Sequence, residues 1–399
     1  MSATVGAIPV LLVLFLIILH PLQAFQAALG GLEAWWEIVV PALLPFFVLS
    51  QLLMGLGIVH FLGVFLEPFM RPLFNVPGSA AFVVLMGYTS GAPLSALLTA
   101  QLRSQGLLTP AEGERLICFT NNASPLFMLG AVAVGMLHDP QLGPIIAAAH
   151  YAANLSLGIL FRFYRRREGS SPMAGTPLRR LPRRAWQALL EAQRRDGRPF
   201  GQLLSDAVTR SFQVLLAIGG FIVLFAVVIR LAQLTGVTRW LEKALVPFLR
   251  LVGLDTQSTS AVAAGMLEMT IGTKTAGELP LTLPARLAAI SFILGWAGLS
   301  VHAQVAAMIS GTDLRLSPFI GARLLHGVLA SKLVLFFYGP AQPVVNLLKA
   351  PFSSAAGSWH ALWIYYTGFP LLALMFFISL TALGLLVYAL LRRPKNYWS

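Results

Sequence analysis

The sequence predicts an all-α polytopic membrane protein, with about eight transmembrane helices, two re-entrant hairpins and two inverted repeats containing interrupted helices. Three observations predict it. Hydrophobic residues make up 57% of the 399 and charged residues 11%, with a mean hydropathy of +0.76, whereas soluble domains carry about a quarter charged residues. Apolar runs long enough to cross a bilayer recur along the chain. Polar breaks recur inside those runs, at matching places in the two halves.

A bilayer core of about 30 Å takes about 20 apolar residues per helix. The runs that meet this are 3–20, 37–62, 116–137, 142–163, 207–231, 285–308, 318–338 and 361–391. The first, MSATVGAIPVLLVLFLIILH, lacks a basic lead and reads as a retained helix rather than a cleaved signal. Two further apolar stretches, 78–101 and 258–280, are rich in Gly, Ser, Thr and Pro and read as re-entrant hairpins. The chain then divides into an N-terminal helix and external loop (1–36), a first repeat (37–163), a basic linker (164–204), a second, inverted repeat (205–338) and a C-terminal loop and helix (339–399).

The formal charge of +13 does not point to nucleic acid, because eleven of the 28 Lys/Arg lie between Arg162 and Arg198. A basic block next to an apolar span marks the cytoplasmic side and contacts anionic membrane lipids. With this block and Arg392 to Lys395 in the cytoplasm, both termini are cytoplasmic. The external loops at 21–36 and 138–141 then contain no Lys or Arg, although Arg239, Lys243, Arg250 and Lys349 fall outside as exceptions. The single cysteine, Cys118, allows no intrachain disulfide or Cys-rich metal site and reads as a small buried side chain. No metal or cofactor is expected, and a homo-oligomer is left open.

The halves resemble each other. Gly87-Tyr88-Thr89-Ser90-Gly91 corresponds to Glu268-Met269-Thr270-Ile271-Gly272, and LTPAEGERLICFTNNASPL to LTLPARLAAISFILGWAGLS. Each unit has three crossings, an odd number, so the second copy is upside down relative to the first. Inverted repeats with broken helices in matching positions point to a secondary transporter with a midplane site.

The break Thr120-Asn121-Asn122-Ala123-Ser124-Pro125 lies inside an apolar span. Pro125 frees carbonyls in the preceding turn, and irregular backbone at membrane depth survives only against protein or a watery cavity. A plain Pro kink is the simpler reading; six consecutive non-helical residues favour a site. Thr120, Asn121, Asn122 and Ser124 supply donors and acceptors, and the half-helix starting near Ser124 presents its positive end to an anion. GYTSGAP, with Thr89, Ser90 and Gly91, suits a hairpin tip whose N–H groups face a ligand.

In LEMTIGTKTAGE the charged Glu268 and Lys274 stand among Thr270, Gly272 and Thr273. Intramembrane ionisable residues are functional candidates, and a break at Gly272 would bring the two together; a structural pair or a snorkelling Lys274 reads equally well. GWAGLSVHAQ is the second mid-span break, where Ser300, His302 and Gln304 face ligand or proton, or merely a neighbouring helix. His150 and Asn154 share a helix face that looks into the bundle. Arg323 and Lys332 lie close enough to a membrane face for snorkelling to suffice. No HExxH, GxSxG, GxGxxG or P-loop occurs, so no enzyme is indicated.

GYTSGAP, LLTPAEGERLICFTNNASPLFMLGAVAVGML and HYAANLSLGILFRFYRR together resemble the YlbJ-type sporulation integral membrane proteins of the nucleoside-recognition, or Gate, superfamily. The resemblance covers nearly the whole chain, and 87–163 is its most specific part. It implies transport of dipicolinic acid, a planar pyridine dicarboxylate, across the outer forespore membrane during sporulation. The family often has Lys where this chain has Pro93; the second half has Lys274 at the matching place. The runners-up are a nucleoside or nucleobase carrier and a non-transporting spore-envelope assembly protein.

Overall fold

Apolar sequence without water to bond its backbone leaves helices as the economical solution. The computed structural model describes residues 3–125, 127–169, 171 and 180–339, and among these it contains helices and no strand. The span expected at 361–391 lies outside the described residues.

The chain opens with α1 (Ala3–Leu19) and α2 (Pro21–Ala34), bent by 110° at His20. A π-helical turn, Trp35–Val39, leads into α3 (Val40–Gly55), and α4 (Ile58–Phe74) follows at 78°. The expected single run 37–62 is therefore an elbow. It turns at Gly57, whose φ of 78° an L side chain rarely adopts. Next come α5 (Ala80–Thr89) and α6 (Leu94–Ser104), the two arms of the first expected hairpin. α7 (Pro110–Thr120) starts on a capping box between Thr109 and Glu112 and stops at the 121–124 break. Beyond the break the chain resumes as a π-helix, Phe127–Met136, and returns as α8 (Leu142–Phe161).

The basic linker holds an amphipathic helix, α9 (Leu181–Asp196), which buries Leu181, Ala185 and Leu189 and packs on α4. The second half runs through α10 (Phe200–Leu234), α11 (Val237–Val252), α12 (Thr259–Leu267), α13 (Met269–Glu278), α14 (Leu283–Trp296), α15 (Gly298–Ile309) and α16 (Ser317–Tyr338). Among the described residues, four helical stretches are long and apolar enough to cross a membrane (Leu142–Phe161, Phe200–Leu234, Leu283–Ile309 and Ser317–Tyr338), or up to six if each bent pair is one span. The outer face of α10 exposes Phe212, Leu216 and Leu224, as a lipid-facing helix does.

The packing maps onto itself when the halves are exchanged. α5 and α6 pack on α7, and α12 and α13 pack on α14; α6 reaches α15, and α13 reaches the π-helix after the first break. α8 and α16 cross at the centre and run antiparallel, since Arg315 meets Tyr164, Arg323 meets Asn154 and His326 meets His150. The hairpins enter from opposite ends. The base of the first carries Arg103, paired with Asp313, whereas a Cβ on Gly277 at the base of the second would lie 2.9 Å from the Met136 carbonyl oxygen.

Candidate functional site

The two breaks have different local causes. α7 cannot continue into Pro125, and α14 ends because Ala297 and Gly298 adopt φ of 71° and 77°. Each break receives the tip of its own hairpin. In the first half Gly91, at φ 83°, lets the tip close on the break: a Cβ there would sit 2.8 Å from the Asn122 carbonyl oxygen and 3.0 Å from the Ser124 nitrogen. The Ala92 N–H donates to that same Asn122 carbonyl at 2.8 Å. In the second half the left-handed glycine is on the span instead. A Cβ on Gly298 would lie 2.9 Å from the Met269 nitrogen and 3.0 Å from Cα of Glu268.

The carbonyls freed at the end of α7 are met from the opposite half of the chain. Arg323 of α16, fully buried, donates to the carbonyls of Asn121 and Cys118, each at 2.6 Å, and to Oδ1 of Asn154 at 2.9 Å. Its Nη1 also lies 2.9 Å from Nδ1 of His326. These partners are all neutral. Asn154 donates to the Phe119 carbonyl and to Oδ1 of Asn122, so one amide ties the helix end to the break. His150 accepts from the Ala123 N–H at Nε2, and its ring lies 4.3 Å from that of His326. Tyr151 donates to the Tyr88 carbonyl, and the two rings stack at 5.2 Å.

Several expected residues spend their polar atoms on structure. Thr89 donates to Leu85, Thr120 to Leu116 and Thr273 to Met269, each closing on its own helix. Asn121 donates to Ile117 and accepts from Ser95 of the hairpin at 2.9 Å. Ser124 accepts from the Phe127 N–H. Others remain available: Ser90 Oγ and Asn122 Nδ2 are buried without a hydrogen-bond partner, as are His150 Nδ1, Arg323 Nε, Ser291 Oγ and His302 Nε2.

The second break is more aromatic. His302 donates through Nδ1 to the Gly298 carbonyl at 2.7 Å and lies between Trp296 (4.3 Å) and Phe319 (5.1 Å). Arg323 sits over the Phe319 ring at 5.6 Å, which links this stack to the first break. Ser300 and Gln304 are buried on α15.

Two expectations are corrected. The second hairpin breaks at Glu268, not Gly272: Glu268 is extended and its Oε2 caps α13 by accepting from the Ile271 N–H at 2.8 Å. Gly272 instead lies inside α13, where a Cβ would meet Cα of Gly265 at 2.2 Å, and Thr270 precedes it in the first turn. Lys274 is exposed and does not join Glu268. Arg323 does not snorkel; it is fully buried against the carbonyls at the end of α7. Sequence reasoning placed His150 and Asn154 inside the bundle correctly but did not count them, Arg323 or His326 among the site residues. The signal was present, because an arginine within an apolar span is costly wherever it cannot reach water.

The chain matches the family described as Gate, nucleoside recognition, over residues 36–139 and 215–312. It is 46% identical over 331 residues to the sporulation integral membrane protein YlbJ of Bacillus subtilis, covering 81% of this chain and 80% of that protein. The chain belongs to the Gate family. A more distant similarity, 29% over 132 residues, links it to an uncharacterized protein of Alkalihalophilus pseudofirmus and covers 32% of this chain and 28% of the relative. Each Gate unit contains one hairpin and the broken span on which its tip docks. α8 and α16 lie beyond the matched units, and with them His150, Asn154, Arg323 and His326.

Proposed function

We propose that this Gate-family membrane protein is a secondary transporter of a small anionic aromatic metabolite, dipicolinic acid first, working by alternating access near the bilayer midplane. One observation carries the reading: a hairpin tip docks on a broken helix in each half, and the two hairpins enter from opposite ends. Broken helices paired across inverted repeats are how transporters place polar backbone at membrane depth, and rocking one unit against the other exposes such a site alternately to the two sides. The similarity to a sporulation membrane protein supports placing the activity in the outer forespore membrane. The density of Arg between Arg162 and Arg198 supports cytoplasmic termini and contact with anionic lipids.

The family description, nucleoside recognition, favours a second reading in which Asn122 and Gln304 amides read a nucleobase edge. Uptake of radiolabelled dipicolinate and of uridine by proteoliposomes separates the two. Dipicolinate uptake resisting competition by uridine is expected; uridine uptake without dipicolinate uptake overturns the proposal.

A further inference from the structure

Around the first break, four buried polar atoms lack a protein partner: Ser90 Oγ, Asn122 Nδ2, His150 Nδ1 and Arg323 Nε. Three of them are donors only in this setting. Asn122 Nδ2 and Arg323 Nε carry hydrogens by constitution. His150 accepts from Ala123 at Nε2, which puts the proton of the neutral ring on Nδ1. We infer that Arg323 is the charge-selecting residue of this site, its Nε edge pairing with an acidic group of the substrate beside Asn122, His150 and Ser90. The inference rests on the transport reading and names the residue that makes it selective for acids.

The physical reason is the state of the guanidinium. Both Nη atoms are committed to neutral partners, and the side chain has no exposure. A fixed charge at membrane depth without a counter-charge is costly, and one carboxylate on the Nε edge satisfies both the unpaired donor and the charge. A cation or a donor-rich ligand would meet the same donors unfavourably. The ridge Trp296–His302–Phe319 ends at Arg323, so a planar ring would find an aromatic surface next to the charged group.

The placement also divides labour within the chain. The Gate units supply hairpin tips and breaks, while Arg323 and His150 come from α16 and α8, beyond 36–139 and 215–312. On this account the two flanking helices set the charge class of the substrate.

The test is binding of dipicolinate, and of its neutral diamide, to the purified full chain. Wild type is expected to prefer the diacid by about tenfold or more, the scale of a charge-assisted bond. Arg323→Gln is expected to erase the preference and Arg323→Lys to weaken it. Asn122→Asp guards against misfolding: it keeps the oxygen that accepts from Asn154 and places a carboxylate close to Arg323 through their shared partner. It is expected to lose diacid binding while raising the thermal stability of the empty protein. Undiminished preference for the diacid in both Arg323→Gln and Asn122→Asp overturns the inference and leaves the transport reading standing. Wild type binding neither compound overturns both.

Discussion

Arg315, just before α16, binds Glu114 of α7 three times: its backbone N–H at 3.1 Å, Nε at 2.9 Å and Nη2 at 3.2 Å. Glu114 is fully buried and also accepts from Tyr164 at 2.9 Å and Arg165 at 2.8 Å. One carboxylate thus joins the broken span of the first half, the end of α8 and the start of α16. Any opening at this end of the molecule has to break it.

Glu114→Ala removes the acceptor for all of these donors and is expected to cost about 2–4 kcal/mol. Arg315→Ala should cost less, about 1 kcal/mol, because Arg315 is 55% exposed and Glu114 keeps its other donors. Thermal unfolding of the two variants in detergent checks the order; equal losses would contradict it.

Gly91 and Gly106 both adopt positive φ, 83° and 72°, but only Gly91 touches the break. Alanine at Gly106 meets nothing within 4 Å and should cost about 1 kcal/mol from conformation alone. Alanine at Gly91 adds a 2.8 Å contact with the Asn122 carbonyl and should reduce uptake far more than its stability loss explains. Uptake normalised to folded protein measures the difference, and parallel effects in the two variants would argue against a docked tip.

Lys274→Ala is expected to leave uptake within about twofold, since the side chain is exposed on α13. Glu268→Ala removes the cap of that helix and should destabilise by about 1 kcal/mol. A loss of uptake confined to Lys274→Ala would place the anion site at the second hairpin instead of at Arg323.

Outside the membrane, Arg198 holds the Asp196 carboxyl below its ordinary range, and Arg103 does the same for Asp313. A folded pKa below the unfolded value of about 3.9 gives stabilisation that is present above that value and lost as pH falls through the folded pKa. The contribution of these pairs to the thermal midpoint should therefore be full and independent of pH near neutrality and decline below about pH 4. Both pairs are exposed enough that the effect is small. Asp196→Asn should flatten its share of the acid decline, and an unchanged pH profile would contradict this assignment.

The polar breaks were legible because local chemistry writes them. Pro125 stops α7 at the polar stretch Asn121 to Ser124, and Gly298 marks the second stop. The elbow at Gly57 and helix α9 were harder to see: an apolar run does not show its bend, and the amphipathic stripe Leu181, Ala185, Leu189 is hidden among arginines. The break at Glu268 depends on a side chain capping the next turn, which no apolar period reveals. Arg323 was misplaced for a different reason. Distance along its own helix suggested an interface, whereas its depth is set by α7 and α8, packed against it from the other half of the chain.

The most direct measurement is dipicolinate uptake by proteoliposomes carrying wild type or a variant with Asn121→Ala and Asn122→Ala. The account predicts uptake by wild type and a loss of at least about tenfold in the variant at equal folded protein. Equal uptake by the two proteins would contradict it, because the first break would then be a structural kink and not the wall of a transport site.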